Sequence, residues 1–338
     1  WIDEADGLST LDLDAGTGNV ILNAGGTIVD GDSSNDINGT TASVTVNGEF
    51  GAMGGGDNNI DTSVANLNVD SSAANGTQWI DEADGLSTLD LDAGTGNVIL
   101  NAGGTIVDGD SSTDINGTTA TLTVAGDVGA MGGGDNNVDT DVTNLNVDTS
   151  GSNGTQWIDE ADSLSTLDLD AGTGNVILVA GGSLDDADAG DDITGTTASI
   201  HAESGIGSDA QEIDTAVSNL AAQTESGDIN IVNTGGLTIT NMAGVTGVQI
   251  EDATADDSGV DNITVVASSP LTVNDAVVNN DGGNITLTAT NDGGDDDDLT
   301  ISANVTATDG NGAIDLNAGT DLIVDSDAVI STVGSGAI

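Results

Sequence analysis

Carboxylates are almost the only side chains in this sequence that could do chemistry. Fifty-eight Asp and Glu stand against one His and no Lys, Arg or Cys. Acids at short spacing serve two chemistries, glycosidic bond cleavage and the ligation of hard cations. The second fits the spacing. In VDGDSSND, Asp30, Asp32 and Ser34 fall at alternate positions with Asp36 beyond, and Asp108, Asp110, Ser112 and Asp114 repeat them. Asp30, Asp32, Asp36, Asp108, Asp110 and Asp114 are therefore the candidate ligands for Ca²⁺, which is hard, oxygen-seeking and tolerant of irregular geometry. The loop lacks the Gly and Glu that an EF-hand needs at its sixth and twelfth positions.

Other acids recur without a cluster. Asp12/Asp14, Asp90/Asp92 and Asp168/Asp170 alternate with leucines, so they face away from a leucine core. If coils stack about 4.8 Å apart, outward Asp rows repel unless screened or bridged by cations. No carboxylate pair is singled out for hydrolysis, and lyase chemistry on acidic sugars normally wants a Lys or Arg. The chain is accordingly read as no enzyme, with no catalytic residue and no cofactor beyond Ca²⁺. His201, alone in TASIHAES, reads as a surface or half-buried strand residue. Trp1, Trp79 and Trp157 each precede Ile-Asp-Glu-Ala-Asp and read as fillers of a coil corner beside that Ile, ahead of sugar-stacking platforms.

A formal charge of −58 excludes partners as well. Without Lys or Arg there is no counterion-releasing contact to nucleic acid and no P-loop. A basic patch for an anionic membrane surface is absent too, and no apolar run approaches the ~20 residues of a membrane span.

The elements that must position these acids follow from repeats. Residues 1–78 and 79–156 are near copies that differ at only 12 positions, a divergent third copy covers 157–226, and 227–338 keeps only a shorter cadence. That cadence is an alternating strand, a Gly or Asn turn, and a second alternating strand, as in GDINIVNTGGLTIT and GAIDLNAGTDLIVD. Modules of roughly 20 to 30 residues belong to solenoids, because a strand that short buries little until its ladder continues into the next coil. The expectation is an all-β fold, a right-handed parallel β-helix, with three coils per 78-residue repeat and all four regions in one continuous solenoid. Tandem β-sandwich modules of about 78 residues are the alternative.

The stretch SGIGSDAQEIDTAVSNLAAQTESGDINIVNTGGLTIT (204–240), with the later GNITLTAT and GAIDLNAGTDLIVDSD, resembles the repeat region of filamentous-haemagglutinin-like exoproteins and related bacterial surface adhesins. The resemblance implies a β-helical shaft in a very long secreted or cell-surface protein. The chain opens within a repeat and stops in SGAI, so it reads as a segment of something longer. The expected role is an extracellular shaft, filament or surface adhesin, whose partners are further copies, neighbouring segments or surface glycans. A carbohydrate- or ice-binding surface is the alternative, with Thr and Asn ladders or the Trp ledges as contacts.

Overall fold

A computed structural model describes all residues except 53–57, 110, 131–135, 188–189, 209, 252–259, 292 and 294–295. Among the described residues there are strands and turns but no helix. The composition dictates this, since β-branched residues fit a pleated stack while Gly, Asn and Asp favour turns. The chain divides into two units, 1–161 and 162–338, and each is a parallel β-solenoid.

In the first unit two parallel sheets alternate along the chain. One holds 2–4, 19–24, 41–46, 66–70, 88–92, 115–116, 138–141 and 156–160. The other holds 13–14, 37–38, 60–63, 78–82, 97–102, 119–124 and 144–148. Paired residues lie 20 to 25 apart, as in Leu22 with Val44 and Val44 with Val69. Inward residues form continuous apolar rows: Ile80, Leu100, Leu122 and Val147 succeed one another and all are buried. Each such side chain contributes about 1.5–3 kcal/mol relative to exposure, which the next coil must supply.

The 78-residue repeat does not hold three coils. Strand Asn19–Ala24 lies in the first sheet, whereas its counterpart Asn97–Ala102 lies in the second. Seven strands per repeat over two sheets make three and a half coils, so successive copies present the same sequence on opposite faces. This also removes the β-sandwich alternative, because a repeat that ends in mid-coil cannot close a core by itself. Corner bridges report the same inversion. Leu8, Ile28, Phe50 and Gln78 form one ladder, and Leu86, Ile106, Val128 and Gln156 form its counterpart.

Gln78 sits where the inversion happens. Fully buried, it donates from Nε2 to Val69 O (3.0 Å), Ser71 Oγ (3.1 Å) and Asp92 O (3.0 Å), tying the preceding strand to the next coil. Gly76, just before it, packs so closely that a Cβ would run into Gly48 O, and Gly154 repeats this against Gly126 O.

The second unit begins in the same style and then changes. Strands Asn175–Ala180, Thr197–Ala202 and Asn219–Thr224 pair in register. Thereafter that face is split into two short strands per coil, starting with Leu237–Ile239 and Val248–Ile250 on Asn219–Thr224. At the split the chain leaves the stack as an antiparallel hairpin, Asn241–Met242 with Val245–Thr246.

Candidate functional site

The candidate calcium residues mostly turn inward. Asp30 is buried, and its Oδ1 accepts Leu11 N–H (2.8 Å) from a neighbouring coil while Oδ2 accepts Asp32 N–H (2.9 Å). Asp108 accepts Leu89 N–H (3.1 Å) in the second copy, and Asp186 accepts Leu167 N–H (3.3 Å) in the third. The second position behaves alike. Asp36, Asp114 and Asp192 accept N–H from Asp61, Asp139 and Asp214 at 2.9, 2.8 and 2.7 Å. Asp32 stays exposed, and the hydroxyl and N–H of Ser34 hold its carboxyl below the usual range. Asp110 lies outside the described residues. Among the described residues no three acids or histidines gather as a metal group.

A third carboxylate, which spacing alone did not single out, completes this pattern. Glu82 is buried and accepts Thr62 Oγ1 (2.7 Å), Val64 N–H (3.2 Å) and Asp84 N–H (3.2 Å). Glu160 accepts Thr140 Oγ1 (2.7 Å) and Val142 N–H (3.2 Å). These acids staple coils through backbone dipoles, since the chain has no basic side chain except His201. The staples are not neutral in cost. Burial pushes Glu82 up, against the lowering effect of its hydrogen bonds. Burial pushes Asp36 up to about 7, with the charges of Asp30, Asp61 and Asp32 adding to it and Asp61 N–H opposing, while its Oδ1 has no partner.

The outward acids do not form the continuous rows that the repeat suggested, although Asp61 with Asp81, Asp70 with Asp92 and Asp139 with Asp159 remain register neighbours. Because copies alternate faces, Asp14 and Asp92 occupy different sheets, and each outward Asp has its own neighbours. Asn68 Nδ2 donates to Asp90, Asn101 Nδ2 to Asp81, and Asn116 Nδ2 to Asp92 (3.2 Å). Adjacent Asp70 and Asp92 each bind backbone N–H groups of their own turns, at Ser72 and Gly94. Amide donors thus bridge some of these acids from coil to coil.

Trp79 is not a corner filler. In Gln78–Glu82 the inward side chains are Gln78, Ile80 and Glu82, so Trp79 points outward, half-buried, and pairs in register with the outward Ile99. His201 is a half-buried strand residue.

This outward Ile begins a ladder that recurs in each copy. In the first it is Ile21, Ser43, Asn68, and in the second Ile99, Thr121, Asn146. The third is Ile177, Ser199, Ala221. The third is closed over: those residues are 7%, 1% and 0% exposed, whereas Ile99, Thr121 and Asn146 of the second are half-buried. Over Ser199 and Ala221 the cover is the hairpin, which lies against Thr197–Ala202 and Asn219–Thr224. Val245 is buried, and Ser199 Oγ donates to Met242 O (2.9 Å). In the second copy the face stays open. There Asp81, Asn101, Thr123 and Asp148 line a groove of ≈ 520 Å³ together with Ala102, Val124 and Ala125.

No family model, curated protein or solved structure matches this chain.

Proposed function

We propose that this chain is a structural shaft segment of an extracellular or cell-surface protein, without enzymatic activity. The observation that carries the reading is the three-and-a-half-coil repeat of the first unit, which adds stacked coils without altering their cross-section. A repeat of that kind converts copy number directly into length. The absence of Lys and Arg fits exposure, since it leaves no trypsin-type cleavage site. A charge of −58 opposes collapse of one copy onto another. The likeness of residues 204–240 to surface-adhesin repeats points the same way.

Small-angle scattering on the chain and on a variant lacking residues 79–156 tests the proposal. Loss of half-integral coils should shorten the particle by roughly 17 Å at constant cross-section, from ~4.8 Å per coil. A compact particle, or one whose cross-section changes, overturns it.

Calcium belongs to this proposal as a counterion for exposed acids such as Asp32. Thermal melting with millimolar CaCl₂ and with chelator, at matched ionic strength, distinguishes the two modes. A melt that collapses only on chelation means specific sites, and an unchanged melt means diffuse screening.

A further inference from the structure

The same outward ladder is closed in one copy and open in the others, and the sequences of the two states differ in charge. Beside the covered ladder Ile177–Ser199–Ala221 runs Val179–His201–Gln223. Beside the open ladder Ile99–Thr121–Asn146 runs Asn101–Thr123–Asp148, and beside Ile21–Ser43–Asn68 runs Asn23–Thr45–Asp70. Where the hairpin sits, Asp has become Gln and Asn has become Val or Ala. The cover matches, because the chain carries no acid from Ile229 to Ile250. A neutral lid thus lies on a neutralised face.

The open faces keep their aliphatic residue and their acids together. Asp81 and Asp148 border the groove, and the paired Trp79 and Ile99 lie on the same outward face, two residues before Asp81 and Asn101 along their strands, so an occupant that spans both must bring an apolar group and positive charge in one short element. A second copy of this chain cannot do so, for it has no Lys or Arg. A free polyamine supplies charge but nothing for the Ile–Trp step. The hairpin over the third copy shows which backbone form fits: an antiparallel two-residue turn with one aliphatic side chain buried and a carbonyl offered to the Ser or Thr hydroxyl of the ladder.

We propose that the open faces at Ile21–Ser43–Asn68 and Ile99–Thr121–Asn146 are docking sites for a basic β-hairpin of a partner protein, which sets an aliphatic side chain on the Ile and a Lys or Arg against Asp70 or Asp148. This stands apart from the shaft reading, since a docking face is indifferent to particle length. Because the copies alternate faces, the two sites look to opposite sides of the first unit.

The test uses the full chain and a cyclic hairpin peptide with the sequence of Thr240–Gly247, in which the positions of Asn241 and Thr246 carry Lys. The unmodified neutral cycle and spermidine serve as probes of shape alone and charge alone. Calorimetry should find the basic cycle bound at least about tenfold more tightly than either control, with an affinity that falls as salt rises. The double substitution Ile21→Asn and Ile99→Asn should abolish that preference while the β circular dichroism spectrum is kept. Asp70→Asn with Asp148→Asn, a milder pair, should remove the salt dependence and most of the affinity. The proposal is overturned by no binding of the basic cycle, by full displacement by spermidine at equal charge, or by binding unaltered by the Ile substitutions. Equal binding of the neutral and basic cycles also overturns it, since the acids would then be bystanders.

Discussion

The two units solve the same stapling problem with different chemistry. In the first, Glu82 accepts the hydroxyl of Thr62 and the N–H of Val64 from a carboxylate. In the second, Asn233 accepts the hydroxyl of Thr215 (2.9 Å) and the N–H of Val217 (3.0 Å) from an amide. The geometry is shared and the charge is not. A carboxylate accepts more strongly than an amide, but burying it without a counter-charge raises its proton affinity. At this position the first unit is therefore the pH-sensitive one, while both units keep buried Asp staples, Asp36 in the first and Asp192 in the second. The units differ on the outside in parallel, since the first leaves its Ile ladders open among acids and the second covers its own.

The largest expected effect tests the buried charge. Asp36 is held at about 7 against 3.8 for the free side chain. A folded value above the unfolded one means its stabilising contribution is full below pH 3.8 and is lost as pH rises through about 7. The gap is worth at most about 4 kcal/mol, before solvent screening reduces it. Exchange of the Asp61 amide, which donates to Asp36, should be faster at pH 8 than at pH 5 after correction for intrinsic rates. Asp36→Asn keeps an acceptor for that amide and should flatten the dependence; an unchanged pH profile would show that the charge is compensated elsewhere.

Covering the ladder is the next largest. Val245→Asp places an acid under the hairpin against Ser199 and Ala221, at a cost of about 3 kcal/mol. The second unit should lose protection around Thr197–Ala202 while the first keeps its own. If both units respond equally, their stabilities are coupled and the comparison between them fails.

Swapping the staples sharpens the same contrast at about 2 kcal/mol. Asn233 Nδ2 donates to Thr234 O (3.1 Å) and Gly235 O (3.2 Å), so Asn233→Asp would turn a carboxylate oxygen onto two carbonyls. The variant should melt lower at pH 7 and recover toward pH 4, where a protonated oxygen donates again. Glu82→Gln should do the reverse, gaining at pH 7, because the raised carboxyl of Glu82 gives its full stabilisation only in acid and loses it as pH rises. Equal shifts at both pH values in either variant would mean that packing, and not charge, separates the two kinds of staple.

Much of this fold was legible before any coordinates. Alternation such as Leu89–Asp90–Leu91–Asp92 fixes which side is buried, and the recurring short module fixes a solenoid. The coil count per repeat was not legible, because strands of the two sheets look alike and the connections vary, from 20 residues between Ile80 and Leu100 to 25 between Leu122 and Val147. The acids left two readings open for a physical reason. Asp at alternate loop positions serves equally well for a cation and for N–H groups of a neighbouring coil, and only the fold brings Leu11 and Asp61 to Asp30 and Asp36. Glu82 carried a usable signal, since it follows an inward Ile by two residues and so had to point inward. The hairpin carried one too, in the acid-free run around it.

The smallest effect concerns how firmly that hairpin is built. Its turn has Ala243 at φ 53° and Gly244 at φ 96°, the two-residue form whose twist suits an antiparallel pair. Gly enters the left-handed region freely, whereas Ala does so at a cost of roughly 1 kcal/mol. Ala243→Gly relieves that cost but loosens the unfolded chain, so the net gain should be below about 1 kcal/mol. Ala243→Asn keeps the unfolded chain stiffer and tolerates the conformation, so it should stabilise the hairpin more than Gly does. The readout is exchange of Gly247 N–H, which donates to Thr240 O (2.9 Å) across the base of the hairpin. Slower exchange in Ala243→Asn than in the parent means that the lid opens locally by releasing its turn. Unchanged exchange means that Val245 on the face below, and not the turn, sets how often the closed copy resembles the open ones.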